Sequence, residues 1–479
     1  MAERGFSLPF SKSLLSARVI ALAAALSAFC VVLFSPAVLN DGDTYWHIAA
    51  GRWMIDNWAV LRIDPFSYTF AGHPWHTHEW LAEVAMALAY VGAGWGGVVL
   101  LFGATTALTA GMLARHLSAR LSGLGLIVTL ILSLACLAGS LLARPHLLAL
   151  PLLELWTAGL VIARAEGRAP SFKLLPLMVL WANLHASFLI GLGLAGAFAL
   201  EAVWLQPPPR AAALKTWGLF CALALLGAML TPFGVGGLIF PFKLMAMGSL
   251  QRIAEWQPTD FRTLQPLAFA AAAALYVLLS RGVKVAPLRI AILLGLLYLA
   301  LIHMRHQMLI AIVGPLLLAE PLGHALQTSP SPLPLRYTKR IAFAIALVFM
   351  ALSAFRLLLP LERSDGETTP GAAYAHVPEA LAKTPVFNDY AFGGFLIFNE
   401  TRPFIDSRAE LYGDKFLRQY ADLIRPDKAA LMATFAKYHV HWTILAPDNP
   451  AVGAMDAMTG WHRLYADRWA VIHVRDGEP

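Results

Sequence analysis

Two carboxylates, Asp41 and Asp43, stand in the stretch NDGDTYWHIAAGRW, and His47 follows Asp43 at a spacing of one helical turn. An ionised carboxylate can take a proton from an incoming hydroxyl or amine, and an imidazole a turn away can support it if the segment is helical. Further along come Arg144 with His146, Asn183 with His185, Glu255 beside Trp256, then His303, Arg305 and His306, and finally Asp389 with Tyr390. Arginine grips phosphate through its planar fork of donors, so Arg144 and Arg305 suit an anionic leaving group. Asp43 and Asp41 are the candidate catalytic pair. His47, Arg144, His146, His185, Glu255, Arg305, His306, Asp389 and Tyr390 are the candidate substrate-binding set. HPWHTHE adds His73, His76, His78 and Glu79, and His-x-His can chelate zinc, although histidines beside Trp75 and Trp80 serve equally as headgroup-level anchors. The metal ligands stay unassigned.

The elements that must position these residues are membrane spans. Of 479 residues, 58% are hydrophobic and 14% charged, more apolar surface than a soluble fold of this size buries. The net charge of +7 comes from Lys and Arg scattered at the ends of apolar runs, with no basic stripe and interleaved aromatics, which excludes a nucleic-acid partner and fits membrane topology. Cys30, Cys136 and Cys221 all lie within apolar runs, so neither a disulfide framework nor a cysteine metal knuckle is available. The first run, Val19 to Val38, exceeds the length of a signal-peptide core and reads as a retained span.

Apolar runs fall near 15–36, 96–114, 122–143, 146–164, 174–186, 188–204, 216–232, 266–280, 286–303, 307–322 and 341–360. With a cytoplasmic N-terminus, the inner loops then hold Arg115 and Arg120, Arg164, Arg168 and Lys173, Arg210 and Lys215, Arg281 and Lys284, and Arg336, Lys339 and Arg340, as the positive-inside rule asks. A single helix over 174–204 would split that charge between the two sides, so a hairpin is expected there. HEWLAEVAMALAYVGAGWGG is expected on the outer surface as an interfacial helix, because Glu79 and Glu83 are costly in lipid. In this topology every candidate site residue of the membrane region falls at the outer face.

After Leu361 the pattern changes. TPVFND, RPFIDSR, HWTILAP, WHRLYADR and WAVIHVR read as strands, and DKFLRQYADLI and KAALMATFAKY as amphipathic helices. FIDSRAELYGD, with Asp406, Arg408, Glu410 and Asp414, reads as a solvated strand-to-helix turn ahead of a ligand loop, and SPSPLPL from Ser329 to Leu335 as a stiff inner linker. The expected architecture is an α-helical polytopic membrane protein of about eleven transmembrane helices, with a small C-terminal α/β domain on the outer side. Its expected divisions are 1–360, including an outer loop at 37–95, and 361–479.

These features resemble the GT-C superfamily of membrane glycosyltransferases, which take a sugar from a polyprenyl-phosphate or polyprenyl-diphosphate donor. DTYWH, Asp43 to His47, is similar to the Asp-Pro-aromatic-aromatic-His/Asn stretch of oligosaccharyltransferase catalytic subunits, and Asp43 matches their catalytic Asp. HTHEWLAEVAMALAYVGAGWGGVVLL resembles the Tyr-Trp-Leu helix and following span of arabinose- and mannose-transferring relatives. FNDYAFGG is similar to the Trp-Trp-Asp-Tyr-Gly motif without its tryptophans, and IAE, Ile253 to Glu255, to the external-loop Glu motif. WHIAAGRWM, DPFSYT, HEWLAE, FNDY and FIDSRAELYGD also resemble, over nearly the whole length, a group of bacterial membrane proteins with no assigned reaction.

The resemblance implies a transferase in the bacterial inner membrane, working at the periplasmic face on a lipid-linked sugar and a glycan, lipid or protein acceptor. One departure bears on cofactors. Many superfamily members carry a second acidic motif in the next outer loop, where this chain reads Arg144-Pro145-His146, which argues against a carboxylate-built metal centre and leaves a divalent cation open. Competing accounts remain at this stage: acids that merely terminate an apolar run in water, arginines that snorkel, and a transporter or envelope-polysaccharide assembly subunit without chemistry of its own. A transporter should show ionisable or broken elements near the midplane and internal repeats. Glu154 is the main acid embedded in an apolar run, and no convincing repeat is present.

Overall fold

The computed structural model describes residues 17–205, 210–249, 256–327, 335–425 and 427–477; Glu255 and the linker residues 329–334 lie outside them. Helix α1 (Ala17–Phe34) leads through a short 3-10 turn into α2 (Asp43–Asn57), followed by α3 (Trp80–Ser118), α4 (Gly123–Ala138), α5 (Pro145–Ala165), α6 (Leu175–Leu184) and α7 (Phe188–Leu205). Then come α8 (Ala211–Ala228), α9 (Val235–Met245), α10 (Pro266–Ser280), α11 (Pro287–Ile302), α12 (Gln307–Ala325) and α13 (Leu335–Leu358). Pro145, Pro266 and Pro287 open α5, α10 and α11 at the position where a missing N–H costs nothing.

Each expected apolar run coincides with a helix. Six helices among the described residues are long and apolar enough to cross a membrane, including Ala17–Phe34, Pro145–Ala165 and Lys339–Leu358, and shorter apolar helices pack beside them. No side chain of Lys339–Leu358 is buried, as suits a helix facing lipid. At one end of the bundle Glu201 of α7 accepts from Arg164 at 3.3 Å and Arg289 at 3.1 Å, which ties the C-terminal ends of α5 and α7 to the start of α11. That carboxylate was not expected at an end whose loops are basic.

The interfacial segment differs from expectation, the hairpin over 174–204 is present as expected, and one helix was not expected. The interfacial segment and the following span are continuous as α3, bent where Ala93 and Gly94 leave helical geometry; Gly94, at φ 57°, takes a left-handed conformation that a side chain would disfavour. Glu83 escapes lipid by being buried against α2, at 1% exposure, so the segment is roofed by protein. The pair α6 and α7 is two helices folded back on each other: His185 is extended, and Trp181 and Met178 close around Gly191. Helix α9 was not foreseen. It starts beside His76, which stacks on Phe233 and Phe240 at 3.8 and 4.4 Å, and just after it Gly248 and Ser249 donate to Asp414 of the C-terminal domain. Its start therefore packs on the loop carrying His76, and the residues just after it reach the C-terminal domain.

The C-terminal domain comprises α14 (Gly371–Tyr374), α15 (Glu379–Ala382), β1 (Val386–Asn388), α16 (Gly393–Phe398), α17 (Ala409–Leu423), α18 (Lys428–Tyr438), β2 (Trp442–Leu445), α19 (Ala451–Asp456), β3 (Trp461–Ala466) and β4 (Val471–Arg475). The sheet order is β1-β2-β4-β3, with β1 parallel to β2 and the other pairs antiparallel. Strands β1 and β2 are buried throughout, Asn388 and Thr443 included, whereas edge strand β3 is largely exposed. RPFIDSR is not a strand. Asn388 takes the place of a ladder partner, accepting from Phe404 N at 2.8 Å and donating to Ile405 O at 2.8 Å. Nor is the turn solvated, since Asp406 and Arg408 are 0% exposed.

Candidate active site

The loop between α1 and α2 places both candidate acids at the same spot. Asp41 accepts from Asp43 N at 2.7 Å, and the helix then starts at Asp43, where a carboxylate is favoured by the helix dipole. Arg144, immediately before α5, ion-pairs Asp41 through its Nε and reaches Asp41 Oδ1 at 3.1 Å and Asp43 Oδ2 at 2.9 Å through its Nη2. The loop carrying it is pinned because Ala143 N donates to Val38 O at 2.8 Å and Thr44 Oγ1 donates to Ala143 O at 3.0 Å. Asp41 is 7% exposed. These acids are held in a partly buried ion-pair cluster and do not simply end an apolar run in water.

The C-terminal domain closes over them. Arg363, just after α13, donates to Asp41 O at 3.0 Å while its guanidinium lies 3.9 Å from the Tyr45 ring centroid. Ser407 donates to Asp43 Oδ1 and accepts from Trp46 Nε1 at 3.0 Å. Gly394, in the FGG of FNDYAFGG, lies against the Gly42 carbonyl so closely that a Cβ would sit well inside 3.0 Å of its oxygen. Gly394→Ala should therefore push α16 off the acid loop, at a cost of about 1–3 kcal/mol. A lowered melting temperature together with lost activity is the expected outcome, and a wild-type value for both would contradict this contact.

A histidine layer lies beside the acids. His47 faces Glu83 through Nδ1 at 3.4 Å and Glu79 through Nε2 at 3.9 Å. His185, at the α6–α7 turn, approaches Glu79 at 3.5 Å, and His78 does so at 3.7 Å. Burial first, then the positive charge of Arg144, holds His47 well below its usual pKa; burial, then His146 and Arg305, does the same for His185. Both rings are therefore neutral near pH 7 and can donate or accept. His146 donates Nε2–H to Ser140 O at 2.8 Å, with its ring 6.2 Å from that of His185. Arg305 lies over Trp256 at 4.6 Å, and His306 is 6.2 Å from the same indole.

The remaining candidates serve the domain's own architecture as well. Asp389 caps the turn at Tyr390–Phe392 and accepts from Asn449 at 2.9 Å. Tyr390 N donates to Tyr420 Oη at 3.1 Å, and burial, followed by the charge of Asp43, raises the Tyr390 hydroxyl well above its usual pKa. His73 and His76 do not join His78 as a chelate: His73 is exposed, and His76, pushed down to about 4 by burial, is stacked between phenyl rings. As for a metal, the acids are taken up by Arg144 and Ser407, and the described residues contain no group of three or more His, Cys, Asp or Glu placed to hold an ion. A carboxylate-built metal centre does not fit here. Arg363 and Ser407 were not named from the sequence: Arg363 lies outside the motifs, and Ser407 lies within FIDSRAELYGD, which reads there as a solvated turn.

No protein-family model matches the sequence, and no curated protein matches it. Among solved structures, ArnT from Cupriavidus metallidurans bound to undecaprenyl phosphate superposes with a TM-score of 0.50 and 13% identity, over 95% of this chain and 97% of ArnT. This chain shares the fold of that ArnT structure. The archaeal oligosaccharyltransferase AglB from Archaeoglobus fulgidus, in complex with an inhibitory peptide and a dolichol-phosphate, gives a TM-score of 0.40 at 12% identity, over 95% of this chain and 74% of AglB. In this fold Asp43 heads α2 and the acid loop is roofed by the C-terminal domain.

Proposed function

We propose that this membrane protein transfers a sugar from a polyprenyl-phosphate or polyprenyl-diphosphate donor to an envelope acceptor, with Asp43 as the proton acceptor. The observation that carries this reading is the Asp43 carboxylate, oriented by Ser407 on one oxygen and paired with Arg144 on the other. In the transfer, the acceptor's oxygen or nitrogen bonds to the anomeric carbon and gives its proton to Asp43. The bond from that carbon to the phosphate oxygen breaks, and the phosphate keeps the electron pair. Arg144 faces both acids, so a donor phosphate arriving beside it competes for the guanidinium and frees Asp43 Oδ2 as base. Arg305 and the neutral imidazoles of His47 and His185 supply further donors.

A lateral groove of about 1020 Å³ supports a lipid-borne donor. It runs between α6 and α8, lined by Leu175, Val179, Leu223 and Leu226, and reaches Trp80 and Asn183, which are hydrogen-bonded at 2.7 Å. Glu79 and His185, beside those two in sequence, belong to the histidine layer. An isoprenoid tail in this groove would present its phosphate to that layer. The positive-inside rule supports a cytoplasmic side for the opposite end of the bundle, and with it a periplasmic site and C-terminal domain at a bacterial inner membrane.

Mass spectrometry of lipid-linked sugars and envelope glycans in a deletion strain tests this reading. A missing sugar on one acceptor, with its polyprenyl-linked precursor accumulating, is the expected result. Unchanged profiles of both would favour a transporter or assembly subunit.

A further inference from the structure

We propose that Ser407, contributed by the C-terminal domain, is a positioning residue for Asp43, so that the catalytic centre is incomplete without that domain; this rests on the reading of Asp43 as base. The hydroxyl has two partners of fixed polarity. Trp46 Nε1–H can only donate, at 3.0 Å, and an ionised Asp43 Oδ1 can only accept. The single Ser407 proton is therefore aimed at Asp43. Trp46 and Asp43 share a face of α2, three residues apart, so one helix presents both the acid and the group that orients its partner.

The backbone on either side of Ser407 is locked. Arg408 donates from Nε to Asp406 Oδ1 at 2.8 Å, from Nη2 to Asp406 Oδ2 at 2.6 Å and from Nη1 to Asp64 Oδ1 at 2.7 Å. Its guanidinium also lies over Trp75 at 4.5 Å. Asp64 belongs to the loop between α2 and α3, so this clamp ties the Ser407 turn to the membrane region directly. With Oδ1 held by Ser407 and Oδ2 by Arg144, the plane of the Asp43 carboxylate is fixed relative to the site. A hydrogen bond donated to a carboxylate favours its charged form, the form a base needs.

The test uses the full-length protein in lipid nanodiscs, with Ser407→Ala, Ser407→Thr and Asp43→Asn compared for transfer rate against pH. Ser407→Ala should lower kcat about tenfold or more with KM little changed, and move the acid limb of the kcat profile upward by about one pH unit. Ser407→Thr keeps the hydroxyl and should restore most of both. Wild-type kcat and an unmoved limb in Ser407→Ala, beside an inactive Asp43→Asn, would overturn the positioning role while leaving the base intact. Equal impairment in Ser407→Ala and Ser407→Thr with no movement of the limb would overturn it too, by assigning the loss to packing. Full activity in Asp43→Asn would instead remove the proposed function itself.

Discussion

Asp43→Asn is expected to lower turnover by at least about a hundredfold at unchanged abundance, because the substitution keeps the shape of the side chain and removes both its charge and its capacity to take a proton. The amide oxygen can still accept from Ser407, but an amide nitrogen turned toward Arg144 would set donor against donor. Arg144 would then lean on Asp41 alone. Asp41→Asn should cost less, since Asp41 acts by accepting from Asp43 N and by holding Arg144. Transfer rates of both variants at equal membrane content decide the matter, and a smaller loss in Asp43→Asn than in Asp41→Asn would reverse the assignment.

The second large effect is on stability. Arg408 is fully buried and bound to two carboxylates from different parts of the chain, Asp406 in the C-terminal domain and Asp64 in the outer loop. Replacing it with Met leaves both acids buried without their counter-charge, which typically costs about 3–5 kcal/mol when one partner of such a network is removed. Asp64 keeps bonds from Phe66 N, Ser67 N and Ser67 Oγ, and Asp406 keeps Tyr412 Oη at 2.7 Å, so the domain loosens at this seam first. Limited proteolysis of membranes should cut Arg408→Met in the C-terminal domain under conditions that leave the wild type whole. Equal resistance would mean that the clamp contributes little. The triple replacement of Arg408, Asp406 and Asp64 by apolar residues should recover part of the loss, as removing a whole buried ion cluster is far less costly than breaking it.

The bundle was legible because apolar runs and basic loops are set by the bilayer, a solvent with one dominant demand. Helices α4, α5, α7, α10 and α11 lie where those runs predict them. Helix α9 was hidden, since Gly236, Gly237 and Pro241 break its pattern and eleven residues are too few to resemble a span. The C-terminal strands at Val386–Asn388, Trp442–Leu445 and Val471–Arg475 were readable from β-branched and aromatic runs, but RPFIDSR shares with them only its Phe-Ile pair and is held by Asn388 instead of a neighbouring strand. The acids themselves were visible from their place after α1. What completes them was not: Ser407 and Arg363 come from more than three hundred residues away, at |i−j| of 364 and 322, and a contact of that range leaves no periodic trace in a single sequence. Arg144 was singled out from the sequence as a phosphate-gripping cation, and in the structure it pairs with Asp41 and Asp43.

The most direct measurement is transfer itself. Purified full-length protein in nanodiscs is supplied with polyprenyl-phosphate and polyprenyl-diphosphate sugars together with an envelope extract as acceptor, and the free lipid phosphate is quantified by mass spectrometry. Release of lipid phosphate in step with sugar on the acceptor, present in the wild type and lost in Asp43→Asn, is the predicted result. Equal release by wild type and Asp43→Asn, or binding of the lipid-linked sugar with no release by either at full occupancy, would contradict a transferase centred on Asp43.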